Sequence, residues 1–495
     1  MALEKEAKRM AAEFEYSKDD LNRGVQHFMT EMREGLGKTG GHISQIPTYV
    51  TAVPNGTEKG TFLAVDLGGT NFRVCSITLH GNHTFSLTQS KVAVPRTLME
   101  TQVAAELFSF LAKQIENFLK THHNDHFETH KAKPGQVAYF DLGFTFSFPV
   151  EQVGINKGAL VRWTKGFSIQ EAIGKDVCEL LQKEIDALNL PVKVSALVND
   201  TVGTLMARSY TSPGKESTLI GAIFGTGTNG AYVERLSNIK KMKDIDEKQG
   251  GANYDTTTGL MVINTEWGSF DNALKVLPDT PYDRALDKES NNPGIQMFEK
   301  RVSGMFLGEI LRRAMLALHN SDNSNASFLK DKTSADNDLT TTTVIEPDSA
   351  LFKQWGIDTS FLSIVEEDQS DHLRITKQVL EKDLGIQAAA TEDAIAIKML
   401  VHAVGKRAAR LAAVALGAVI LETKRLETDG FVDIGVDGSL VEYYPGFEDY
   451  IREAFRETQG IGEEGEKKIR IGLAKDGSGL GAALIALTAH DAEKP

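Results

Sequence analysis

Asp66 ends an apolar run and is followed by Gly68, Gly69, Thr70 and Asn71, in the stretch FLAVDLGGTNFRVC. A carboxylate next to a backbone stripped of side chains suits two different purposes. One is a tight hairpin between strands. The other is a nest of N–H groups that approaches a large anion, with the carboxylate placed for a Mg²⁺ that keeps its water shell. The stretch IFGTGTNGAY repeats the arrangement, with Gly225, Thr226, Gly227 and Asn229 after a second apolar run. Either turn alone reads as a hairpin. Two in matching positions point to a clamp on nucleotide phosphates.

A second set of residues is polar without being strongly charged. LVNDTVGTL places Asn199 and Asp200 at a strand end, with Thr201 opening a helix. Taken alone, Asp200 reads as a helix cap. NTEWGSFDN carries Glu266 in a polar turn, and IQMFEKRVSG carries Gln296 and Glu299 three apart on one helical face, ordinarily a solvated one. RWTKGF holds Thr164 and Lys165 between aromatics, and FSFP puts Ser147 just before a proline. Each signal is weak. Together they supply the carboxylates, amides and hydroxyls that bind a neutral polyol through paired hydrogen bonds.

Other motifs are set aside on physical grounds. GLGKT at 35–39 resembles the end of a P-loop, but Met32 occupies the position of the required first glycine and a helix precedes it. GTGTNG at 225–230 fits a dinucleotide-binding pattern, yet a strand follows where that fold needs a helix. GSGLGA at 477–482 opens a helix with no room for a strand before Pro495. In THHNDHFETH, His122, His126 and His130 recur every four residues, but no cysteine or closing ligand accompanies them, and histidines suit the negative end of a helix.

The elements that must position these groups follow from periodicity. Residues 1 to about 40 read as amphipathic helices, followed by the strands TFLAVDL, NFRVCSITLHG and TFSLTQSKVAV. A helix at 103–122 puts Leu107, Leu111, Ile115 and Phe118 on one face. VAYFDLGFTFSFP and VKVSALVND read as strands, with the helix GKDVCELLQKEIDAL between them. STLIGAIFGTGTNGAYVER then echoes the first hairpin, which suggests two similar α/β units facing one cleft. Helices around 296–319, 371–384 and 392–424, a polar loop at 320–343 and the strand FVDIGVDG complete the second unit.

A chain of 495 residues calls for two or three domains. Lys+Arg 54 against Asp+Glu 68 leaves a charge of −14, which argues against nucleic-acid and anionic-membrane partners. Cys75 and Cys178 form no CxxC pair, as suits a reducing cytosol, and the expected location is cytoplasmic. The N-terminus has no apolar signal core, and RLAAVALGAVIL is too short to span a membrane and reads as a buried helix.

With these blocks assembled, the chain resembles the eukaryotic hexokinase family, most of all its fungal glucokinase branch. LAVDLGGTNFRV, GFTFSFP, RWTKGF, NDTVGTL, GTGTNGAY, NTEWGSFDN, NPGIQMFEKRVSGMFLGE, GVDGSLVEYYPGF and DGSGLGAAL occur in that family's order over nearly the whole length. The resemblance implies an actin-like (ribonuclease H-like) duplicated α/β fold with two lobes and a hinged cleft. It implies a small lobe of 59–198 plus 474–495, a large lobe of 199–473, and an N-terminal helical segment, 1–58, packed on the large lobe. It further implies a sugar site of Ser147, Thr164, Lys165, Asn199, Asp200, Asn229, Glu266, Gln296 and Glu299, with Asp200 as general base and Lys165 beside it in catalysis. Gly68, Gly69, Thr70, Asn71, Gly225, Thr226 and Gly227 are implied phosphate loops. Thr359, Ser363, Gly438 and Ser439 are implied further nucleotide contacts, and Asp66 the carboxylate on the side of the magnesium. Met305 departs from relatives that carry a lysine there, so one phosphate contact is in question.

The activity so implied is transfer of the γ-phosphoryl of MgATP to the 6-hydroxyl of glucose, the first step of glycolysis. Two other readings stand beside it: a broad hexokinase that also takes mannose and fructose, and a non-catalytic glucose sensor. An actin-like chaperone ATPase would leave the polyol-binding set without a purpose. Monomer and homodimer are both left open.

Overall fold

The run that ends in Asp66 forms the strand Lys59–Leu67, and the residues after the glycines return antiparallel as Asn71–His80. This computed structural model describes residues 2–492 except 134–135, 213, 215–217, 322–326, 334–340 and 429. Phe85–Ala93 continues the meander, while Phe140–Phe146 and Val192–Val198 add parallel to the other side of Lys59–Leu67. Phe140–Phe146 is buried on both faces over most of its length, as expected of a central parallel strand.

The second half repeats this order. Thr218–Phe224, Thr228–Arg235 and Leu260–Asn264 make the antiparallel meander, and Val432–Asp437 and Ile469–Leu473 add parallel beyond Thr218–Phe224. The echo between the glycine turns is thus an echo of whole sheets. One strand is extra: Ile46–Pro47, from the N-terminal segment, pairs with the edge strand Leu260–Asn264.

After its last parallel strand, each sheet sends out a helix, Asp200–Thr211 or Gly477–Ala492. Asp200–Thr211 packs on the second sheet and Gly477–Ala492 on the first, and the two helices cross between them. The crossing is close because its residues are small. A Cβ on Gly481 would stand 2.2 Å from the carbonyl oxygen of Gly203, so backbone meets backbone there.

The N-terminal helices Ala2–Ala12 and Lys18–Gly37 pack on the long helix Thr391–Glu422. Ser17 and Asp20 cap the second of them reciprocally. RLAAVALGAVIL lies within Thr391–Glu422 and is buried. Arg407 on that helix makes two 2.7 Å hydrogen bonds to the buried Asp283 carboxylate. Against the cost of burial, the Arg407 guanidinium holds Asp283 at about 2. Among the described residues, no helix is long and apolar enough to cross a membrane.

Some expectations need correction. The helix expected around 296–319 is two helices, Glu299–Val302 and Gly304–His319, broken at Ser303. Gln296 lies ahead of both with a left-handed φ of 57°, so it shares no helical face with Glu299. The histidine run is also split. His122 ends Ala104–His122 and its ring meets Phe118, whereas His126 lies in Asn124–Ala132 and donates to the Ala138 carbonyl at 2.9 Å. Of the polar loop at 320–343, residues 322–326 and 334–340 lie outside those described.

Candidate active site

Asn199 rather than Asp200 caps the helix Asp200–Thr211, since its side-chain oxygen accepts from the Thr201 N–H at 2.9 Å and from the Thr201 hydroxyl. Asp200 is therefore the first residue of the helix, and its Oδ1 also accepts from the Thr201 N–H at 2.8 Å. Burial pushes the Asp200 carboxyl up to about 6, and the charge of Glu266 adds to this. The Thr201 N–H and Lys165 work against the rise, and Asp66 adds a smaller push. One carboxylate thus feels residues from both sheets. A group poised near neutrality can hold a negative charge at working pH and still accept a proton.

Lys165 approaches from the side of the first sheet. Its Nζ donates to the carbonyls of Gly68 and Ser147, both at 3.0 Å, and lies 5.6 Å from the centre of the Phe148 ring. Burial lowers its pKa, while Asp200 and Asp66 draw it back up. Lys165 and Ser147 are brought to the first glycine turn, the Ser147 N–H donating to the Leu67 carbonyl at 3.3 Å, and Thr164 precedes Lys165 in the chain. Asn229, Asn264 and Glu266 form a cluster on the second sheet. Asn229 Nδ2 donates to Asn264 Oδ1 at 2.8 Å and to Glu266 Oε1 at 3.2 Å, and Asn264 Nδ2 donates to the same Glu266 oxygen at 2.8 Å. Gln296 Oε1 accepts from the Ser269 hydroxyl at 2.8 Å, and Glu299 Oε1 accepts from the Thr228 N–H at 3.3 Å. Burial raises both Glu266 and Glu299.

Three of these residues have left-handed backbones: Lys165 (φ 56°), Glu266 (φ 55°) and Gln296 (φ 57°). Outside glycine such angles are uncommon and cost about 1–3 kcal/mol each, so the surrounding packing must impose them.

The second glycine turn gathers the residues expected around a nucleotide. The carbonyls of Gly225 and Thr226 accept from the N–H groups of Gly304 and Met305 at 2.7 and 3.1 Å. The Thr359 hydroxyl donates to the Gly304 carbonyl, and Ser363 lies one turn further along the helix Thr359–Glu367. Gly438 has φ 109°, and a Cβ there would stand 2.6 Å from the Phe224 carbonyl, so Gly438 and Ser439 lie against the turn. Met305 has an exposed side chain beside it.

At the first turn, Thr70 and Asn71 are exposed, and Asp66 faces Arg73 at 3.7 Å. Arg73 also pairs with Asp476 at 2.7 Å and donates to the Ser478 hydroxyl. Burial raises Asp66, and the Asp476 charge adds to it; Asp437 is raised by burial, with Asp476 again contributing. Asp476 Oδ2 is buried without a hydrogen-bond partner. Carboxylates gathered around one buried, unpartnered carboxylate oxygen favour a cation among them, so the donor set fits a hydrated Mg²⁺. Arg73, Asn264, Asp476 and Ser478 were not singled out from the sequence, although all four stand within the quoted motifs LAVDLGGTNFRV, NTEWGSFDN and DGSGLGAAL.

Two duplicated sheets, crossing helices, paired glycine turns and one half-buried carboxylate define a two-lobed phosphotransferase of the actin-like class. Hexokinase family models match residues 6–210 and 219–488. A glucokinase of Aspergillus niger is 60% identical, with 99% of this chain and 98% of the relative covered. Glucokinase-1 of Saccharomyces cerevisiae is 43% identical, covering 96% and 95%. A solved hexokinase of Schistosoma mansoni complexed with glucose is 33% identical, with 98% of each chain covered and a TM-score of 0.76. The chain belongs to the hexokinase family.

Proposed function

We propose that this enzyme phosphorylates glucose at its 6-hydroxyl with ATP as donor and Mg²⁺ as the accompanying ion. The observation that carries the reading is Asp200. Asn199 relieves it of capping, burial and Glu266 tune it to about 6, and it lies in the field of both the sugar-side Glu266 and the phosphate-side Asp66. The Aspergillus relative's description as a glucokinase and the glucose in the Schistosoma hexokinase support the substrate.

In the proposed mechanism Glu266, Glu299, Gln296, Asn199, Asn229, Ser147 and Thr164 hold the sugar hydroxyls, and Asp200 accepts the proton of the attacking one. Phosphoryl transfer asks mainly for alignment and charge neutralisation, and the proton leaves late, so a carboxylate suffices as base. Lys165 supplies a positive charge at the first turn. Gly68, Gly69, Thr70, Asn71, Gly225, Thr226 and Gly227 hold the phosphates, and Thr359, Ser363, Gly438 and Ser439 the rest of the nucleotide. Mg²⁺, on the side of Asp66, would neutralise charge on the phosphate oxygens. Water competes with the sugar as acceptor, so closing the cleft on glucose protects ATP. The moving bodies we assign are 59–198 with 474–495, and 199–473 carrying 1–58. Their support is the separate apolar core of the first sheet against Ala104–His122 and Val177–Ala187.

Coupled ADP release with a panel of hexoses tests the proposal. We expect turnover with glucose far above that with fructose. Absence of ADP release with every hexose would leave a sugar sensor. Similar turnover on glucose, mannose and fructose would make the enzyme a broad hexokinase.

A further inference from the structure

Three loops of the site each join a candidate residue to an aromatic one. Phe224 precedes Gly225, Trp267 follows Glu266, and Phe298 precedes Glu299. The three rings belong to one buried cluster. Phe224 stacks on Trp267 at 5.9 Å, and the Trp267 indole N–H donates to the Thr228 hydroxyl at 3.0 Å. A further ring comes from outside the loops. Phe28, on the N-terminal helix Lys18–Gly37, lies 6.4 Å from Trp267, 4.7 Å from Phe270 and 6.3 Å from Phe298. Its ring partners are thus on the loops of Glu266 and Glu299, and Phe224 joins the cluster through Trp267.

The same helix grips the Glu266 loop a second time. Less than one turn beyond Phe28, Glu31 Oε2 accepts from the Asp271 N–H at 3.4 Å. The Asp271 carboxylate in turn accepts from the N–H groups of Lys275, Val276 and Leu277, each at 2.8 Å. His27 lies 3.3 Å from Glu31 and 3.6 Å from Asp271.

We infer that Phe28 is a positioning residue for the sugar: the N-terminal helix, remote from the cleft in sequence, sets glucose affinity by wedging the Glu266 and Glu299 loops into their binding geometry. The inference rests on the sugar-binding role proposed above for Glu266, Gln296 and Glu299. Glu266 and Gln296 hold left-handed angles that only packing can impose, and Phe28 is part of that packing. With a smaller ring substitute, the loops relax in the free enzyme and glucose must order them as it binds. Once glucose is bound the loops are back in place. Affinity therefore falls while turnover at saturation is kept.

The test uses the full chain and four variants, Phe28→Leu, Trp267→Phe, Glu299→Gln and the core control Leu416→Ala, with kinetics, glucose calorimetry and thermal melts on each preparation. We expect Phe28→Leu to raise glucose KM and Kd together by about fivefold or more, with kcat and ATP KM within about twofold. Trp267→Phe, which loses the Thr228 hydrogen bond, should raise both glucose and ATP KM. Leu416→Ala, buried in the long helix, should lower the melting temperature without moving glucose KM. If Phe28→Leu leaves glucose KM unchanged while Glu299→Gln raises it, Phe28 is only a core residue and the inference falls with the site reading intact. If neither moves glucose KM, the site reading itself fails. Equal losses in glucose KM, ATP KM and kcat for Phe28→Leu would signify general loosening and also overturn the inference. Should Phe28→Leu not fold, Phe28→Met, closer in volume, carries the same comparison.

Discussion

The turn after Phe224 is held mainly by backbone, and the turn after Leu67 largely by long side chains. At the former, the first N–H groups of the helix Gly304–His319 bond the carbonyls of Gly225 and Thr226, and Gly438 packs against its base with no room for a Cβ. At the latter, the Val94 N–H bonds the Thr70 carbonyl at 2.8 Å, but Lys165 reaches the Gly68 carbonyl and Arg73 ties the following strand to Asp476 and Ser478; Thr70 and Asn71 are exposed, as is Thr226 in the other turn. Both turns follow the first strand of the same five-strand order, so topology does not account for the contrast. The neighbours do. A turn fixed by backbone is preorganised for an anion and costs little to order on binding. A turn fixed by long side chains can adjust, and it is the one that carries the carboxylate for a metal.

Asp200, which feels charges from both turns' surroundings, gives the largest expected effect. Asp200→Asn keeps the shape and can still accept the Thr201 N–H, and Asn199 continues to cap the helix. We expect a melting temperature near that of the parent and measurable glucose binding. Turnover should be at least about a hundredfold slower, in line with general-base contributions. Parental turnover in the folded variant would remove Asp200 from the chemistry.

The preorganised turn comes next. Thr226→Ala removes a hydroxyl aimed, on this reading, at a charged phosphate, and such a bond is worth about 1.5–3 kcal/mol. We expect ATP use to weaken about 10- to 100-fold with glucose affinity unchanged by calorimetry. A parallel fall in glucose affinity would show that the turn is not a separate phosphate subsite.

The pH profile follows. Asp200 is raised to about 6, so its carboxylate form, the only one able to accept a proton, is full above that value and is lost as pH falls through it. We expect kcat/KM for glucose to be level above about pH 7 and to fall to about a tenth of its plateau by pH 5. An acid limb near pH 4 would mean that Asp200 is solvated like an ordinary aspartate.

The two turns were legible in the sequence and the contrast between them was not, for physical reasons. The paired glycine turns and their flanking strands follow from alternation and turn chemistry, both local in the chain. The backbone of Gln296 was not legible. Spacing placed it on the helical face of Glu299, but its left-handed angle comes with tertiary contacts, the Ser269 hydroxyl and the close approach of Gly268. Arg73 sits two residues beyond Asn71, but its partners Asp476 and Ser478 are some four hundred residues away in the chain. Asn264 carries no signal of its own in the sequence beside the acid two residues later, although it links Asn229 to that acid. Phe28 looks like any apolar position of an amphipathic helix. Only the fold discloses that its ring meets the loops of two site glutamates.

The smallest expected effect is the sharpest test of the asymmetry between the turns. Thr70 is the threonine of the first turn as Thr226 is of the second; both are exposed, and the Thr70 hydroxyl accepts a long 3.4 Å bond from the Asn71 amide. A turn held by long side chains can shift and let water replace a lost donor, so removing the hydroxyl costs about the lower end of a net hydrogen bond, roughly 0.5 kcal/mol. Thr70→Ala should therefore raise ATP KM only about two- to threefold, well below the effect of Thr226→Ala in the same assay. The two variants delete the same atoms from one exposed threonine in each turn, so side-chain chemistry cancels and the surroundings are compared. A loss at Thr70 equal to that at Thr226 would mean that the first turn is as firmly organised around phosphate as the second. The division into a backbone-held and a side-chain-held turn would then have no functional consequence.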